Sequence, residues 1–425
     1  MNFNTILYRL GIDPSNFVNE DDEPIKIPDG FIYEVRQRTD ERICPYCGCV
    51  EASINDYDYV EINCSETDQI KDILRIKKVR FKCKGCNKTY TPAIAGIGRY
   101  SKTSNQTLNM IIRDFTKTIT FKDIGIRYGF TTARILQLFD EKINFVPRRT
   151  LPFVLCIDEI KFDEEYDQKF CCVLYDHNSK EIVDIIKNRK LAYLEEYFSS
   201  IPEKERNNVK YFVSDMYDGY KTVCHKYFKK AIHIVDLFHV INQLTFAVNK
   251  IRVLTMNSIG KGNLEYYFMK SKWEHFLCRK ENIPDKLYES KITKDTYKYD
   301  DLVFRCVLKD SDLLEAYNIL QDFYHYNEYF YTFTEALDFV DKMVERLNLT
   351  GNEYLIDVAN TYKKWRIEIA NGLAKSQSGK HYNNGIAEAL NNHLKTIIKM
   401  AYGYHNFERF RKRAMLIRTY KKDLE

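Results

Sequence analysis

The chain has 425 residues, 44% of them hydrophobic, enough for two or more domains with real cores. Its net charge of +5 is mild but uneven: Lys71 to Tyr100 holds nine Lys/Arg against one Asp, and such a segment suggests a polyanion partner. No apolar run approaches membrane-spanning length, and the start MNFNTILYRLGIDP lacks a basic region followed by an apolar core, so the expectation is a cytoplasmic chain whose 12 cysteines are metal ligands and buried thiols rather than disulfides.

After an amino-terminal segment, residues 1–40, the first specific motif is Cys44-Pro-Tyr-Cys47 followed by Cys83-Lys-Gly-Cys86. Two CxxC pairs in knuckle-like contexts suit a tetrahedral Zn²⁺ bound by four thiolates, and the long interval between them calls for a ribbon with inserted strands such as Ile73 to Cys83, within residues 41–97. Cys49 could replace Cys47 in that set.

Residues 98–149 carry ten basic against four acidic residues, and within them Ser104 to about Phe145 reads as helices. Phe121 to Leu138 has the form helix, glycine turn, helix: Gly129 supplies the turn, Thr131 or Thr132 caps the second helix, and Ile124, Ile135 and Leu138 face the packing side. A helix-turn-helix of this kind would place its second helix in a major groove, with Thr132, Arg134 and Gln137 toward base edges or phosphates.

Pro147 to Pro152 reads as a hinge into an α/β domain. Phe153 to Asp158 (FVLCID) is five apolar residues ending on a carboxylate, the pattern of a strand buried on both faces. Lys169 to Asp176 and Glu181 to Asn188, separated by His177 to Lys180, read as a hairpin, Leu191 to Ile201 as a helix, and Val209 to Asp215 as another strand. Then come a helix over Tyr217 to Phe228, a strand over Ala231 to Asp236, and a helix from Leu237 to about Val253, all within a first core segment of residues 150–250. Strands ending on Asp158, Asp215 and Asp236 put several carboxylates along one sheet edge, where open α/β sheets place their chemistry. Like charges held close repel unless a cation or proton intervenes, and carboxylates without thiols favour Mg²⁺ or Mn²⁺.

Residues 251–379 read as a helical insertion, with amphipathic stretches over Asp312 to Tyr326 and Phe333 to Leu347 whose aromatics are core. In the last segment, residues 380–425, Glu388, Asn391, Asn392 and Lys395 fall at i, i+3, i+4 and i+7 on one helix face, while Leu390, Leu394, Ile397 and Ile398 give that helix an apolar side. The basic, aromatic tail from Tyr402 to Arg413, including Arg409 and Arg411, is either a phosphate-contacting surface or a solvated terminal helix.

These features, with the run DLFHV (Asp236 to Val240) and the closing block NNGIAEALNNHLKTIIKMAYGYHNFERFRKR, closely resemble the insertion-sequence transposases of the ISL-three family over nearly the whole chain. The resemblance implies a ribonuclease-H-like α/β catalytic core with a large helical insertion, preceded by the zinc ribbon and helix-turn-helix. It implies a DDE triad of Asp158, Asp215 and Glu388 holding Mg²⁺ or Mn²⁺, with Asp236 and His239 in support. Asp236 is the strongest rival for a triad place, and a hydrogen-bonded core histidine is as good a reading of His239 as a direct role. Asn391, Asn392 and Lys395 join Arg409 and Arg411 as candidate DNA contacts. Ala389, where the family often has Gly, and Met400, which interrupts a basic pair, touch no proposed ligand.

The implied activity is metal-dependent cleavage of double-stranded DNA at terminal inverted repeats followed by strand transfer, by an assembly at least dimeric because two ends must be joined. Two other classes stay open: a catalytically inactive, transposase-derived DNA-binding regulator, and a structure-selective nuclease on the same fold.

Overall fold

A computed structural model describes residues 3–20, 23–39, 42–64, 70–98, 101–144, 150–162, 170–326, 332–375, 379, 381–401, 404 and 406–418. Part of the expected hinge (Pro147 to Arg149), Lys169 at the head of the expected hairpin, and Tyr402, Gly403 and His405 of the expected tail lie outside the described residues. The chain divides into two compact units, Met1–Val146 together with Leu394–Glu425, and Pro147–His393.

In the first unit a helix, α1 (Phe3–Arg9), packs its Phe3, Ile6 and Leu7 on a sheet made of β1 (Phe17–Asn19), β2 (Ile25–Ile27), β3 (Gly30–Gln37), β4 (Ala52–Asn63), β5 (Lys71–Cys83) and β6 (Thr89–Tyr90). The strand order is β1-β3-β5-β4, with β2 added to β3 and β6 to β5. The strands inserted between the two CxxC pairs are thus β4 and β5, of 12 and 13 residues, antiparallel from Ala52↔Cys83 to Asn63↔Ile73. On this sheet the basic residues of β5 face acids of their neighbours. Arg75 bonds Glu34 at 2.6 Å and Glu61 at 2.8 Å, Lys77 bonds Glu20 at 2.8 Å, and Lys78 and Arg80 lie 3.7 and 3.8 Å from Asp58 and Asp56. Much of the charge expected to attract a polyanion is therefore cancelled locally, by partners the linear charge count cannot see. Such solvent-screened pairs set charge more than stability.

Three helices follow, α2 (Asn105–Asp114), α3 (Phe121–Tyr128) and α4 (Thr132–Lys142). Thr120 and Asp123 form a capping box at the start of α3, and α3 ends at Gly129, whose φ of +67° a residue with a side chain adopts only under strain. The Thr131 hydroxyl then caps α4 by accepting from the Arg134 amide, which decides between the two candidate threonines. Ile124, Ile135 and Leu138 are buried as the packing face requires.

The closing helix of the chain, Phe407–Arg418, packs into the same bundle through Leu416. Its basic residues go inward or sideways more than the expected phosphate surface or solvated helix allows. Arg409 pairs with Asp140 of α4 at 2.7 Å, and Arg413, 2% exposed, donates to the carbonyls of Lys117 and Ile119 and lies over the Phe121 ring. Burial pulls the Arg413 guanidinium down to about 10. Arg411 reaches Glu408 at 3.3 Å.

Among the described residues, the second unit holds a five-stranded sheet of β7 (Val154–Lys161), β8 (Phe170–Asp176), β9 (Glu181–Ile186), β10 (Tyr211–Ser214) and β11 (Ile232–Val235), in the order β11-β10-β7-β8-β9. The first three pair in parallel and the β7-β8-β9 side is antiparallel. Val154 to Ile157 are all buried, as a strand covered on both faces demands. One face packs against α5 (Leu191–Ser199) and α7 (Asp218–Tyr227) through Leu155, Ile157, Leu194, Phe198, Val223 and Cys224, with the short α6 (Glu203–Arg206) leading into β10.

From α8 (Leu237–Ile259) the chain enters a helical region: α9 (Leu264–Ser271), α10 (Tyr299–Val307), α11 (Ser311–Tyr326), α12 (Phe333–Leu349), α13 (Glu353–Lys364) and α14 (Arg366–Leu373), around one large apolar cluster. Phe268, Phe276, Phe323, Tyr362 and Trp365 are buried in it, so these aromatics are core. A small hairpin, β12 (Leu287–Glu289) with β13 (Thr296–Lys298), is an addition the apolar pattern does not announce, because Leu287, Glu289, Thr296 and Lys298 are exposed. The chain returns in α15 (Gly385–Met400), and the closing helix is then α16.

Candidate active site

The parallel strands place three carboxylates in one row. Cys156 of β7 is in register with Val213 of β10, and Val213 with Ile234 of β11. Two residues further along each strand stand Asp158, Asp215 and Asp236. With neighbouring strands about 4.8 Å apart, in-register acids share one edge of the sheet. Asp158 does not end its strand: β7 runs on to Lys161 because β8 continues to pair with it, while β10 stops at Ser214 and leaves Asp158 beyond its end.

All three carboxyls are held above their ordinary range. Burial is the first cause in each case. At Asp215, pushed up to about 6, the charges of Glu159 and Asp158 add to it while His239 and Arg189 oppose it. Asp158 is raised by burial and by Glu159 and Asp236, against the Glu159 amide and His239. Asp236 is raised by burial, against its bond from the Phe238 amide and the charge of His239. His239 therefore lies within the field of all three acids. Asp236 also caps α8, accepting from the Phe238 amide at 3.3 Å, so one of its oxygens has a structural task.

Asp158 is held on both sides: Oδ1 accepts from the Glu159 amide and Oδ2 from Asn391 Nδ2, each at 2.8 Å. Asn391, 5% exposed, also takes the Tyr175 hydroxyl on its Oδ1, and Asn384 Nδ2 donates to the Ile157 carbonyl at 3.2 Å. The amino-terminal turns of α15 are thereby pinned to β7. Glu388 lies between these two asparagines, at helical phases of about 40° from Asn384 and 60° from Asn391, on the same face and exposed. Asn391 is thus spent inside the unit rather than offered to solvent, whereas Asn392 and Lys395 are exposed.

Glu159 belongs to this region and was not singled out by sequence reasoning. Opposite in parity to Asp158, it accepts on Oε1 from Tyr220 of α7 and on Oε2 from Arg189, between β9 and α5, both at 2.9 Å. The available signal was a second acid directly after the first, with Tyr220 and Arg189 as possible partners.

Does the acidic row fit a divalent cation? Asp215 Oδ1 is buried and finds no hydrogen-bond partner among the described residues, a position that a hard cation would satisfy. Asp158 and Asp215 fit such an ion, and Glu388 is exposed on the helix that Asn391 fastens to Asp158.

The four knuckle sulfurs also converge. Pairing of Ala52 with Cys83 brings the loop of Cys44 and Cys47 against that of Cys83 and Cys86. Cys44 Sγ lies 3.7 Å from Cys86 Sγ, and Cys47 Sγ 3.6 Å from Cys83 Sγ. Sulfurs about 2.3 Å from a tetrahedral zinc are about 3.8 Å apart, so the cluster is nearly closed for that ion. Cys47, not Cys49, completes it. The Cys86 and Gly85 amides, against burial, draw the Cys83 thiol down to about 6, toward the thiolate that zinc requires.

On α4, Thr132 and Gln137 are exposed and Arg134 is half-buried. Gln137 Nε2 donates to Glu141 at 2.7 Å, and Arg134 lies 4.0 Å from the same carboxylate.

Residues 155–414 match the model of the DDE, ISL-three type family described as "Transposase". A protein of Lactococcus lactis subsp. lactis described as "ATP-dependent protease" is 32% identical over 121 residues, covering 27% of this chain and 34% of that protein. The chain thus spans about a third of that relative's length. No described helix is long and apolar enough to cross a membrane.

Proposed function

Since the chain belongs to the ISL-three family of DDE transposases, with the ribonuclease-H-like α/β core this implies, we propose that it cuts DNA at the terminal inverted repeats of an insertion sequence and joins the freed ends to a target. The observation that carries the reading is the in-register row of Asp158 and Asp215, onto which Asn384 and Asn391 fasten the helix bearing Glu388. Asp158, Asp215 and Glu388 would hold a pair of Mg²⁺ or Mn²⁺ ions. Bound there, such ions supply the Lewis acidity for phosphodiester hydrolysis and transfer.

The chain's own residues then have defined work. Asn391 fixes the Asp158 carboxylate in one rotamer, Asp236 orders the edge by capping α8, and His239 moderates the charge of the three acids. Thr132, Arg134 and Gln137 on α4 would read the terminal repeat, the zinc-bound ribbon would present that unit to DNA, and Asn392, Lys395 and Arg411 would contact phosphates. At least two copies would be needed to join two ends. A regulator without catalysis is disfavoured by the intact set of acids.

The direct test is labelled terminal-repeat DNA with Mg²⁺. End-specific cleavage and strand transfer are expected; binding alone would support the regulator, and cleavage without end preference the nuclease. In the same assay Gln137→Ala and Arg134→Ala should each weaken end binding by about 1–3 kcal/mol, with Gln137→Ala relaxing preference at one position. Equal affinity for repeat and random DNA in the parent protein would remove α4 from recognition.

The raised Asp215 carboxyl gives a pH prediction. Its pKa of about 6 in the folded protein exceeds the ordinary carboxylate value of 3.8, so the folded state binds the proton more tightly and the group makes stability fall as pH rises between the two values. Above pH 6 the ionised group costs about 3 kcal/mol. In buffer free of divalent ions, Asp215→Asn should therefore raise the melting temperature at pH 7.5, and the gain should shrink toward zero near pH 4. Calorimetry showing the same gain at both values would mean that the carboxyl is not strained.

A further inference from the structure

We propose that His225, His233 and Glu368 form a second metal site, for zinc or a similar borderline divalent cation, which staples the end of the helical insertion to the core sheet. The three come from α7, β11 and α14, and one ligand atom from each lies within 4.8 Å of the others. Two imidazoles and one carboxylate with a fourth position open are a zinc donor set rather than a magnesium one.

His233 carries the inference. Its side chain is 5% exposed, and Nε2 lies 2.9 Å from Ser214 Oγ. That hydroxyl has a single proton, which it donates to the Asp215 carbonyl at 2.8 Å, so toward His233 it acts as acceptor and Nε2 carries the hydrogen. Nδ1 is left as a bare lone pair, and it is buried with no hydrogen-bond partner among the described residues. This is the arrangement of a metal-binding histidine whose tautomer is fixed by a bond on the far nitrogen. Burial keeps the ring neutral by drawing its pKa down to about 3, helped by the charges of His225 and Lys221.

The competing account is that Glu368 is simply the buried partner of Lys221, which reaches both its oxygens at 3.0 and 3.1 Å. That pair explains the carboxylate and the lysine but leaves Nδ1 unexplained. It also leaves room: Lys221 Nζ donates to the Lys364 carbonyl and can keep Oε2, while Oε1, 3.7 Å from His225 Nε2, turns to the ion. Ligand atoms about 2 Å from a tetrahedral zinc are about 3.3 Å apart, so the cluster must close by up to about 1.5 Å. His225, with a side chain 63% exposed, supplies both the entry path and the movement.

A cation here would lock α14 to β11, already joined by Asn371 Nδ2 donating to the His233 carbonyl at 2.8 Å. The strand positions it grips, Ser214 and His233, lie directly before Asp215 and three residues before Asp236, so the staple would steady the acidic row.

The test is zinc content of the full chain by mass spectrometry after equilibration at buffered micromolar zinc with millimolar Mg²⁺ to fill the acidic row. About two equivalents are expected, from the thiolate cluster and this site, falling to about one in His225→Gln and in Glu368→Gln. His225→Gln alters an exposed side chain, so folding is not at stake. One equivalent that Cys44→Ser removes and His225→Gln leaves intact would overturn the proposal. One equivalent that resists Cys44→Ser and disappears in His225→Gln would support it while removing the thiolate site instead. Co²⁺ substitution adds a second readout: the site should contribute visible d–d bands without the thiolate charge-transfer absorption of the cysteine cluster.

Discussion

Asp158→Asn is expected to lower end cleavage and strand transfer by about three orders of magnitude or more while leaving end binding within a few-fold. Loss of one ligand to a catalytic cation removes several kcal/mol of stabilisation for the developing charge, and about 4 kcal/mol corresponds to a thousandfold in rate. Repeat recognition is assigned to α4, so the substitution should spare it. The amide also tests the local geometry. Asp158 accepts two hydrogen bonds, one on each oxygen, from the Glu159 amide and Asn391. An amide offers one oxygen and presents hydrogens to the other donor, so about 1 kcal/mol of local stability should be lost, offset in part by removal of a desolvated charge beside Glu159 and Asp236. Rates measured on pre-nicked and intact repeat DNA separate the two chemical steps. Cleavage retained at a tenth of the parent rate would remove Asp158 from the catalytic set.

Much of this arrangement is legible in the sequence because it rests on local pattern. The apolar run before Asp158 and the strand-helix alternation after it follow from periodicity. So do the paired knuckles at Cys44 and Cys83, and the turn at Gly129 between two capped helices. Partnership across the chain is less legible. Asn391 looks like a polar residue on a solvated helix face, but 233 positions separate it from the carboxylate it grips. Arg409 looks like a phosphate contact, yet Asp140 occupies it from 269 residues away. The basic β5 looks like a polyanion surface only until β3 and β4 lie beside it. Glu159 went unremarked because strand alternation turns it away from Asp158, and only the α7 residue Tyr220 reveals its place. In each case the side chain's type was visible, and its partner was fixed by tertiary packing.

Cys83→Ser is expected to release one equivalent of zinc, unfold the knuckle end of the amino-terminal sheet and reduce end binding by about a hundredfold or more, while the second unit keeps its own melting transition. The magnitudes decide this. Apart from its cysteines, the cluster under the knuckles contains Ala52, Val79, Phe81 and Tyr90, whose burial supplies at most about 2–3 kcal/mol each. Ordering the two loops and the ends of β4 and β5 costs about 1–2 kcal/mol for each residue fixed, which so small a core cannot offset. A four-thiolate zinc contributes about 10–16 kcal/mol, enough to reverse the balance. Cys83 is the most telling ligand to remove: it is fully buried, pairs with Ala52 at the last rung of the β4-β5 ladder, and receives the Asn87 amide on its carbonyl. The α1 end of the same sheet has a separate core of Phe3, Leu7, Tyr33, Val35, Leu74 and Ile76, so unfolding should stop partway along β4 and β5. Hydrogen exchange should accordingly show lost protection over residues 44–54 and 79–90 and retained protection at Leu74 and Ile76. Full protection of the knuckles in Cys83→Ser, or after chelation of the parent protein, would show that the sulfurs gather without needing a metal.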